Sequence, residues 1–199
     1  LKPEHSQGFN LGLDWRLPLD GWLISVSGFY TSISDLIAVD STAPVDPDNP
    51  THFRYANVAS DYTEGLEASA RMRLSAGTYL DVGYTLLNPR DATTGWMLEG
   101  RAMHRWNAAI TSRYRPAGLE ATVRANLVSR RPFYEDPDAD TVKSLVWSAP
   151  YCDLDLQITY RFRTLFNVFL GVSNLLNAGH ATYLPKPPRQ FYAGAQVNY

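Results

Sequence analysis

The sequence of 199 residues lacks the features of several common protein classes. It has one cysteine, Cys152, so no disulfide can form within the chain. It has no run of about 18 apolar residues, which excludes a transmembrane helix. Its formal net charge is −2 and its basic residues are nearly all arginines, so no polybasic surface favours nucleic acid as a partner.

Catalytic and metal-binding patterns are missing as well. The sequence shows no Ser/His/Asp arrangement, no paired-carboxylate cleft and no phosphate-cradling glycine loop. The four histidines are scattered without the spacing of metal ligands. We therefore expect that the protein is not an enzyme, and we predict no cofactor and no metal site.

Alternation of apolar and polar residues is what the chain has instead, and it is the pattern of strands with one apolar and one polar face. It recurs in nine segments, at about 6–17, 22–39, 53–74, 78–88, 101–115, 119–131, 149–163, 165–174 and 191–199. Most exceed the ~5–6 residues of sandwich strands and reach the ~9–11 needed to cross a membrane. The sequence therefore predicts an all-β fold, an antiparallel transmembrane β-barrel.

The connections alternate between short and long. Tight links are predicted at 18–21, 75–77, 116–118 and near 163–164, and long ones at about 40–52, 89–100, 132–148 and 175–188. Bacterial outer-membrane barrels have short periplasmic turns and long extracellular loops. This parity predicts an outer-membrane protein with a periplasmic C-terminus. It also predicts an aromatic girdle near the short turns, formed by Trp15, Trp22, Tyr79, Tyr114, Tyr160 and Phe166.

Nine is an odd number of strands, and an open sheet would leave two unpaired edges in lipid. Bacterial single-chain barrels have even counts. We therefore expect residues 1–199 to be the C-terminal part of a larger barrel, with further strands before Leu1. A tenth strand hidden by an irregularity in the long third segment is the alternative.

Charged and aromatic residues on the polar faces give two candidate sets. The first is predicted to form ion-pair ladders across the lumen wall, or to contact another domain or an anionic ligand, and comprises Arg71, Arg73, Asp81, Arg105, Arg113, Glu120, Arg124, Asp153, Asp155 and Arg161. The second is predicted to bind a bulky anionic ligand near the extracellular rim, and comprises Arg101, Arg105, Arg130, Tyr151, Gln190 and Tyr192.

Several short motifs, taken in order, resemble those of TonB-dependent outer-membrane receptors. They are LKPEHS at 1–6, FYTSISDLI at 29–37, YANV at 55–58 with EGLE at 64–67, GRAMHR at 100–105 and GVSNLLN at 171–177. The match departs from the family pattern at Ala102, where proline is usual, and at Leu176 and Asn177.

The resemblance implies a 22-stranded barrel of which this chain is roughly the last nine strands. It also implies a plug domain and an energy-coupling box outside this chain. Family members import ferric siderophores, haem, cobalamin or carbohydrates with TonB. A receptor for a ferric siderophore is therefore the expected function, with outer-membrane lipid, the TonB complex and the small-molecule ligand as partners. The alternatives are a passive porin or structural barrel, and a soluble β-rich adhesin or carbohydrate-binding domain.

The last segment resembles the recognition signal of the barrel-assembly machinery. Its alternating apolar residues are Phe191, Ala193, Ala195, Val197 and the C-terminal Tyr199. The structural alternative is that any closing strand of a barrel would alternate in this way.

Overall fold

The computed structural model describes residues 1–19, 21–39, 55–135, 144–162, 165–180 and 182–197. The described part is almost entirely β, with one turn of 3-10 helix at Arg115–Ala117. It holds no helix of the length and apolar character that crossing a membrane requires. The strands are β1 His5–Arg16, β2 Leu23–Val39, β3 Tyr55–Ser75, β4 Thr78–Asp91, β5 His104–Tyr114, β6 Leu119–Val128, β7 Pro132–Glu135, β8 Ser144–Trp147, β9 Tyr151–Phe162, β10 Phe166–Ser173 and β11 Gln190–Val197.

Nine of these strands form one antiparallel sheet in the order β1-β2-β3-β4-β5-β6-β9-β10-β11. Each strand pairs with the next one of the sheet along the chain, so the sheet is a meander without crossovers. The nine segments predicted from the alternation are confirmed as these nine strands. Their ends differ by a few residues, and Asn198 and Tyr199 lie outside the described residues.

The remaining two strands correct the prediction for the segment 132–148. The sequence predicts a long loop there, but β7 and β8 pair antiparallel, from Pro132 opposite Trp147 to Glu135 opposite Ser144. The residues between them, 136–143, are outside the described part. The hairpin was missed because four-residue strands are too short to display a period of two.

An irregularity lies in the pairing of β2 with the long strand β3. The register shifts between Ile33 and Leu36, and Asp35 between them adopts a left-handed φ of 57°. Asn57 of β3 donates a hydrogen bond of 2.6 Å from its Nδ2 to the Asp35 carbonyl, which satisfies a backbone group that the bulge removes from the ladder.

The short turns carry glycines where the chain passes close to a neighbouring strand. A Cβ on Gly77 would lie 2.3 Å from the Arg113 carbonyl oxygen, and a Cβ on Gly118 would lie 2.4 Å from that of Arg161. Gly118 also has a left-handed φ of 64°. Only glycine fits such positions, which explains how these hairpins turn within two and four residues.

Among the described residues, none forms a second layer over the apolar side of the sheet. Leu11 is 83% exposed on β1, Leu170 is 62% exposed on β10 and Phe191 is 77% exposed on β11. Among the described residues, the buried hydrophobic side chains are mainly small, such as Ala102, Val128 and Val172. This sheet therefore does not form the two-layer core of a soluble sandwich.

Aromatic residues mark both ends of the apolar side. Near the short turns, Tyr114 and Tyr160 both lie opposite Leu119 on neighbouring strands, and the rings of Phe162 and Phe166 stack at 5.0 Å. Near the long loops, the rings of Tyr84, His104 and Trp106 pack against one another at 5.3 to 6.1 Å.

The predicted girdle is wrong in one member. Tyr79 lies at the short-turn end, but its position on β4 shares a face with Asp81, two residues along the strand. Together with Arg71, Thr111 and Arg113 it lines a polar depression of about 340 Å³. Tyr79 therefore belongs to the polar side of the sheet.

Candidate ligand-binding face

Ion pairs cross the polar face of the sheet between neighbouring strands. Arg71 Nε of β3 lies 2.5 Å from Asp81 Oδ1 of β4. Glu120 of β6 receives two arginines on Oε2, with Arg113 Nε of β5 at 2.6 Å and Arg161 Nη2 of β9 at 2.8 Å. The predicted ion-pair ladder is present at these positions.

Toward the long loops, the residues that the structure describes do not continue the ladder, and carboxylates hold loop segments there instead. Arg124 lies opposite Asp155 in the register, yet Asp155 Oδ1 accepts the backbone N–H of Asn174 at 2.9 Å. Asp153 forms an ion pair with Lys186. These two carboxylates therefore anchor the segment 174–189 onto the sheet.

Asn174 organises that segment from a buried position. Its Nδ2 donates to the carbonyls of Ala178 at 2.8 Å and Pro187 at 3.0 Å, and its Oδ1 accepts from the Ala178 N–H at 2.7 Å. Asn174 has a φ of 50°, a left-handed conformation that asparagine adopts more readily than most residues. The side chain thus closes a tight turn directly after β10.

The β7–β8 hairpin packs against the same segment. The Arg131 guanidinium donates from Nη2 to the Tyr183 carbonyl, and the Tyr183 hydroxyl donates to Glu135. The Phe133 and Tyr183 rings lie 4.8 Å apart, and His180 stacks on Tyr183 at 5.4 Å. We call these five residues, Arg131, Phe133, Glu135, His180 and Tyr183, the loop cluster.

Cations and aromatic rings meet beneath the loop cluster. The Tyr151 ring has Arg131 Cζ at 5.8 Å and Lys186 Nζ at 5.4 Å from its centroid. Arg130 Cζ lies 4.4 Å from the centroid of the Trp147 ring. Arg131 Nε and Asp153 Oδ1 are buried and have no hydrogen-bond partner among the described residues. The arrangement offers positive charge beside aromatic faces, which suits a polyanionic or aromatic ligand.

A cleft of about 520 Å³ lies beside the loop cluster. It runs between the β8–β9 link and the segment 174–189, and it is lined by Trp147, Ser148, Ala149, Pro150, Tyr151, Cys152, Leu176, Asn177, Ala178, Gly179, His180, Tyr183 and Leu184. This volume falls within the range of small-molecule pockets, about 300–1,000 Å³.

Tyr183 and Asp91, which lie toward the long loops, have shifted pKa values. The hydrogen bond to Glu135 raises the pKa of Tyr183 above its ordinary value. The backbone N–H groups of Thr94 and Thr93 donate to the Asp91 carboxylate at 2.7 and 2.8 Å, and these bonds lower the pKa of Asp91. The Tyr183 bond requires a neutral phenol that can donate, and the two Asp91 bonds favour an ionised carboxylate.

The six predicted ligand residues do not form one compact site. Arg130 and Tyr151 lie beside the loop cluster, whereas Arg101 and Arg105 are exposed at the start of β5. Gln190 and Tyr192 lie on β11, opposite Ser173 and Gly171 of β10. Since β5 and β11 are four strand steps apart, about 19 Å of sheet separates the two outer groups.

Several residues near the centre of the face were missed by the sequence prediction. Lys186, Tyr183 and His180 come from a predicted long loop without alternation, and Arg131 ends the predicted segment 119–131 on the parity of its apolar face. One local signal was present, the pair Arg130-Arg131 directly after β6. Arg130 has the parity of the polar face and was predicted as a ligand residue, whereas Arg131 has the opposite parity and was not. Contacts across 52 residues, such as Arg131 with Tyr183, leave no local pattern.

The comparison with known families decides what this sheet belongs to. The family model described as TonB dependent receptor-like, beta-barrel, matches residues 1–175. The chain belongs to the TonB-dependent receptor family. The expected resemblance is thereby confirmed. No curated protein matches this receptor chain in sequence.

Solved receptor structures share the fold. The ferric enterobactin receptor PfeA of Pseudomonas aeruginosa, solved as a mutant, has a TM-score of 0.80 at 20% identity, covering 100% of this chain and 32% of its own. The FrpB iron transporter of Neisseria meningitidis has a TM-score of 0.76 at 19% identity, covering 98% of this chain and 31% of its own. The ferripyoverdine receptor of Pseudomonas aeruginosa bound to ferripyoverdine has a TM-score of 0.74 at 16% identity, with 98% and 27% covered.

These structures establish the fold class of the chain and show how much of a whole receptor it covers. This TonB-dependent receptor chain spans about a third of their length or less, so its sheet corresponds to a portion of a larger barrel. Its nine-stranded antiparallel sheet is a section of barrel wall.

Proposed function

We propose that this chain is the C-terminal wall of an outer-membrane receptor that captures a ferric siderophore at its long loops. Import would be driven by TonB through a plug and coupling segment outside these 199 residues. The observation that carries this proposal is the single-layer sheet, apolar and exposed on one side and ion-paired on the other.

The two faces support placement in a membrane. The apolar band of β3 runs from Leu66 to Leu74, nine residues, and spanning strands need ~9–11. Above it the same side of the sheet becomes polar, since Asn88 donates to Glu64 at 2.8 Å. In this placement the short turns and the C-terminus lie in the periplasm and the loop cluster faces the cell exterior.

The loop cluster and the residues beneath it support an anionic, partly aromatic ligand. Arg130, Arg131 and Lys186 supply positive charge, and Tyr151 supplies an aromatic face. Ferric complexes of catecholate groups carry an overall negative charge and aromatic rings, and such groups bind to guanidinium donors and stack on rings. The relatives PfeA and the ferripyoverdine receptor are named for ligands of this kind.

Of the residues predicted from sequence, Arg130 and Tyr151 form the central subsite in this proposal. Arg101 and Arg105 would contribute from one flank, and Gln190 and Tyr192 from the other. A bulky chelate that touches both flanks must span about 19 Å of sheet. Unchanged ligand affinity in Arg101→Ala and Arg105→Ala would remove that flank from the site.

Uptake of defined iron complexes tests the proposed function. The complete receptor would be expressed in a strain without its own siderophore receptors, and cells would be given radioactive iron as ferric enterobactin or ferripyoverdine. We expect saturable accumulation of at least one complex that disappears when TonB is deleted. Accumulation that is not saturable and is independent of TonB would identify a passive porin instead.

The terminal strand is proposed to carry the assembly signal. Phe191, Ala193, Ala195 and Val197 share the apolar parity of β11, and Tyr199 lies outside the described residues. Deletion of Tyr199 from the complete receptor should reduce its folded amount in the outer membrane. Normal assembly of that variant would favour the alternative that the alternation only closes the barrel.

A further inference from the structure

The β7–β8 hairpin contacts two other loop segments, and it uses a different face for each of them. The hairpin comes from the connection between β6 and β9, in the middle of the sheet. One contacted segment, 92–103, connects β4 to β5, and the other, 174–189, connects β10 to β11. Since β5 and β10 are three strand steps apart, about 14 Å of sheet separates the strands that carry these segments.

The segment between β4 and β5 is held by one edge and one face of β7. The Gly100 N–H donates to the Pro132 carbonyl at 2.9 Å, and the Tyr134 N–H donates to Glu99 Oε1 at 2.9 Å. The rings of Trp96 and Tyr134 stack with 4.9 Å between their centroids and 21° between their planes. Two hydrogen bonds and an aromatic stack therefore join this segment to the hairpin.

The opposite face of β7 holds the segment between β10 and β11. Side chains alternate along a strand, so Phe133 and Glu135 lie on the face opposite to Tyr134. The Phe133 ring packs on the Tyr183 ring at 4.8 Å, and Glu135 accepts a hydrogen bond from the Tyr183 hydroxyl. Within the described part of the chain, Tyr183 has no hydrogen bond or ring contact with the segment between β4 and β5. Any coupling of the two segments through these contacts runs through the hairpin.

We propose that the β7–β8 hairpin positions the two flanks of the ligand face relative to each other, with Tyr134 and Tyr183 as the positioning residues. Arg101 directly follows Gly100 on one flank, and Lys186 lies three residues after Tyr183 on the other. The hairpin and the two segments form one cooperative unit, and this unit is assembled before any ligand binds. The inference rests on the proposed function, which supplies the ligand.

The contacts favour one unit over three independent loops. Each junction combines an aromatic pair with hydrogen bonds, and aromatic pairs contribute stability beyond their buried area. The root of the hairpin is fixed as well, because Ser148 and Arg131 are joined by two hydrogen bonds of 3.0 and 3.1 Å. An element that is held at its root and on both faces can transmit a loosening at one face to the other.

Hydrogen exchange of the complete receptor without ligand tests the proposal. Tyr183→Ala removes the contacts on one face of the hairpin, and we expect exchange of residues 92–103 on the other side to become about fivefold faster. Asn177→Ala is the matched control, because Asn177 lies in the same segment as Tyr183 and accepts its bond from the Arg189 N–H within that segment. That variant should leave the exchange of residues 92–103 unchanged.

A double-mutant cycle separates transmission through the hairpin from separate losses of stability. Tyr134→Ala cuts the link on the other face, so adding Tyr183→Ala to it should cause little further acceleration in residues 92–103. Additive effects would show that each tyrosine stabilises only its own loop, and they would overturn the proposal. Unchanged exchange of residues 92–103 in Tyr183→Ala would overturn it as well, and so would equal acceleration in Asn177→Ala.

Tyr183→Phe decides the question if Tyr183→Ala does not fold. This variant keeps the ring against Phe133 and loses only the bond to Glu135, so exchange of residues 92–103 should become about twofold faster. The absence of any acceleration would overturn the proposal.

Iron uptake reads out the proposed receptor function separately. Loss of TonB-dependent uptake of both ferric enterobactin and ferripyoverdine, with the transmitted change in exchange still present, would refute the receptor function alone. Intact uptake, with changes in exchange confined to the altered segment, would refute the role of the hairpin alone.

Discussion

The ring of Tyr192 on β11 lies over Gly171 on β10, so close that a Cβ on Gly171 would be 2.2 Å from Tyr192 Cζ. The Tyr192 hydroxyl donates to Gln157 Oε1 of β9 at 3.2 Å, and one side chain therefore spans three strands. Phe169 covers Gly194 in the same manner, with 2.3 Å between its Cζ and the position of a Cβ. The polar face thus has at least two places where an aromatic ring of one strand covers a glycine of the neighbouring strand.

The first prediction follows from this contact. Gly171→Ala should displace the Tyr192 ring and break its bond to Gln157, because a methyl group and the ring cannot share that space. We expect a loss of about 1–3 kcal/mol in stability against urea. Tyr192→Phe keeps the ring and removes only the hydroxyl, so it should lose about 1 kcal/mol or less. Equal stability of Gly171→Ala and the wild type would contradict the contact.

A second prediction concerns the segment that Asn174 closes. Asn174→Ala removes three side-chain hydrogen bonds and leaves the half-buried Ala178 amide without its acceptor, so we expect about 2 kcal/mol of local destabilisation. Faster proteolysis or hydrogen exchange of residues 175–189 would report it. Asn177→Ala is the matched control, since Asn177 also has a left-handed φ but is exposed and accepts one bond, from the Arg189 N–H. Equal effects of the two substitutions would argue against the role of Asn174.

A third prediction is a pH dependence of the turn after β4. The lowered pKa of Asp91 means that its carboxylate stabilises the turn fully above its unfolded pKa of about 4. That stabilisation declines as the pH falls below this value and is lost once the pH passes the folded pKa. Hydrogen exchange of the Thr93 and Thr94 amides, corrected for the intrinsic rate, should therefore lose protection below about pH 4. Asp91→Asn should show no such step, and a step of equal size in that variant would refute the assignment.

A fourth prediction ranks two ion pairs of the polar face. Glu120 holds two arginines and its side chain is 18% exposed, whereas Asp81 holds one and is 37% exposed. Glu120→Gln should therefore cost more stability than Asp81→Asn, about 1–2 kcal/mol against less than 1. Both are measured by urea unfolding of the complete receptor at low salt, and 1 M salt should reduce the difference. The reverse order would show that the shared carboxylate is not the stronger junction.

A fifth prediction addresses the ligand face. Lys186 pairs with Asp153 and lies over Tyr151, so Lys186→Ala should weaken binding of an anionic ferric siderophore about tenfold if the loop cluster region forms the site. Lys2→Ala is the control, because Lys2 lies before β1 at the far edge of the sheet. Binding would be followed by tryptophan fluorescence of the receptor. Equal affinity of both variants would place the ligand elsewhere.

The sheet was predictable from the sequence because its signal is local. A strand repeats every two residues, so β6 and β9 can be recognised, and their faces assigned, without knowledge of their partners. The sequence of hairpins then follows from the alternation of short and long links. The nine strands and their meander order came from this information.

The features that were not predicted are of three kinds: a residue assigned to the wrong face, a hairpin with very short strands, and contacts between residues far apart in the sequence. Tyr79 was assigned to the girdle from its place near a turn, although its odd position shares the face of Asp81. The β7–β8 hairpin is too short to show a period. Glu135 and Tyr183 are 48 residues apart and meet only because two loops fold toward each other above the same strands.

The most direct test of the account is the environment of the two sides of β6, a strand in the interior of the sheet. In the complete receptor with Cys152 replaced by alanine, nitroxide labels would be placed one at a time at residues 121–127 and reconstituted in lipid bilayers. If the apolar side faces lipid, accessibility to oxygen peaks at the odd positions, and accessibility to a water-soluble nickel reagent peaks at the even ones. Odd positions that are shielded from both reagents would contradict the account, because they would then be packed against protein and not against lipid.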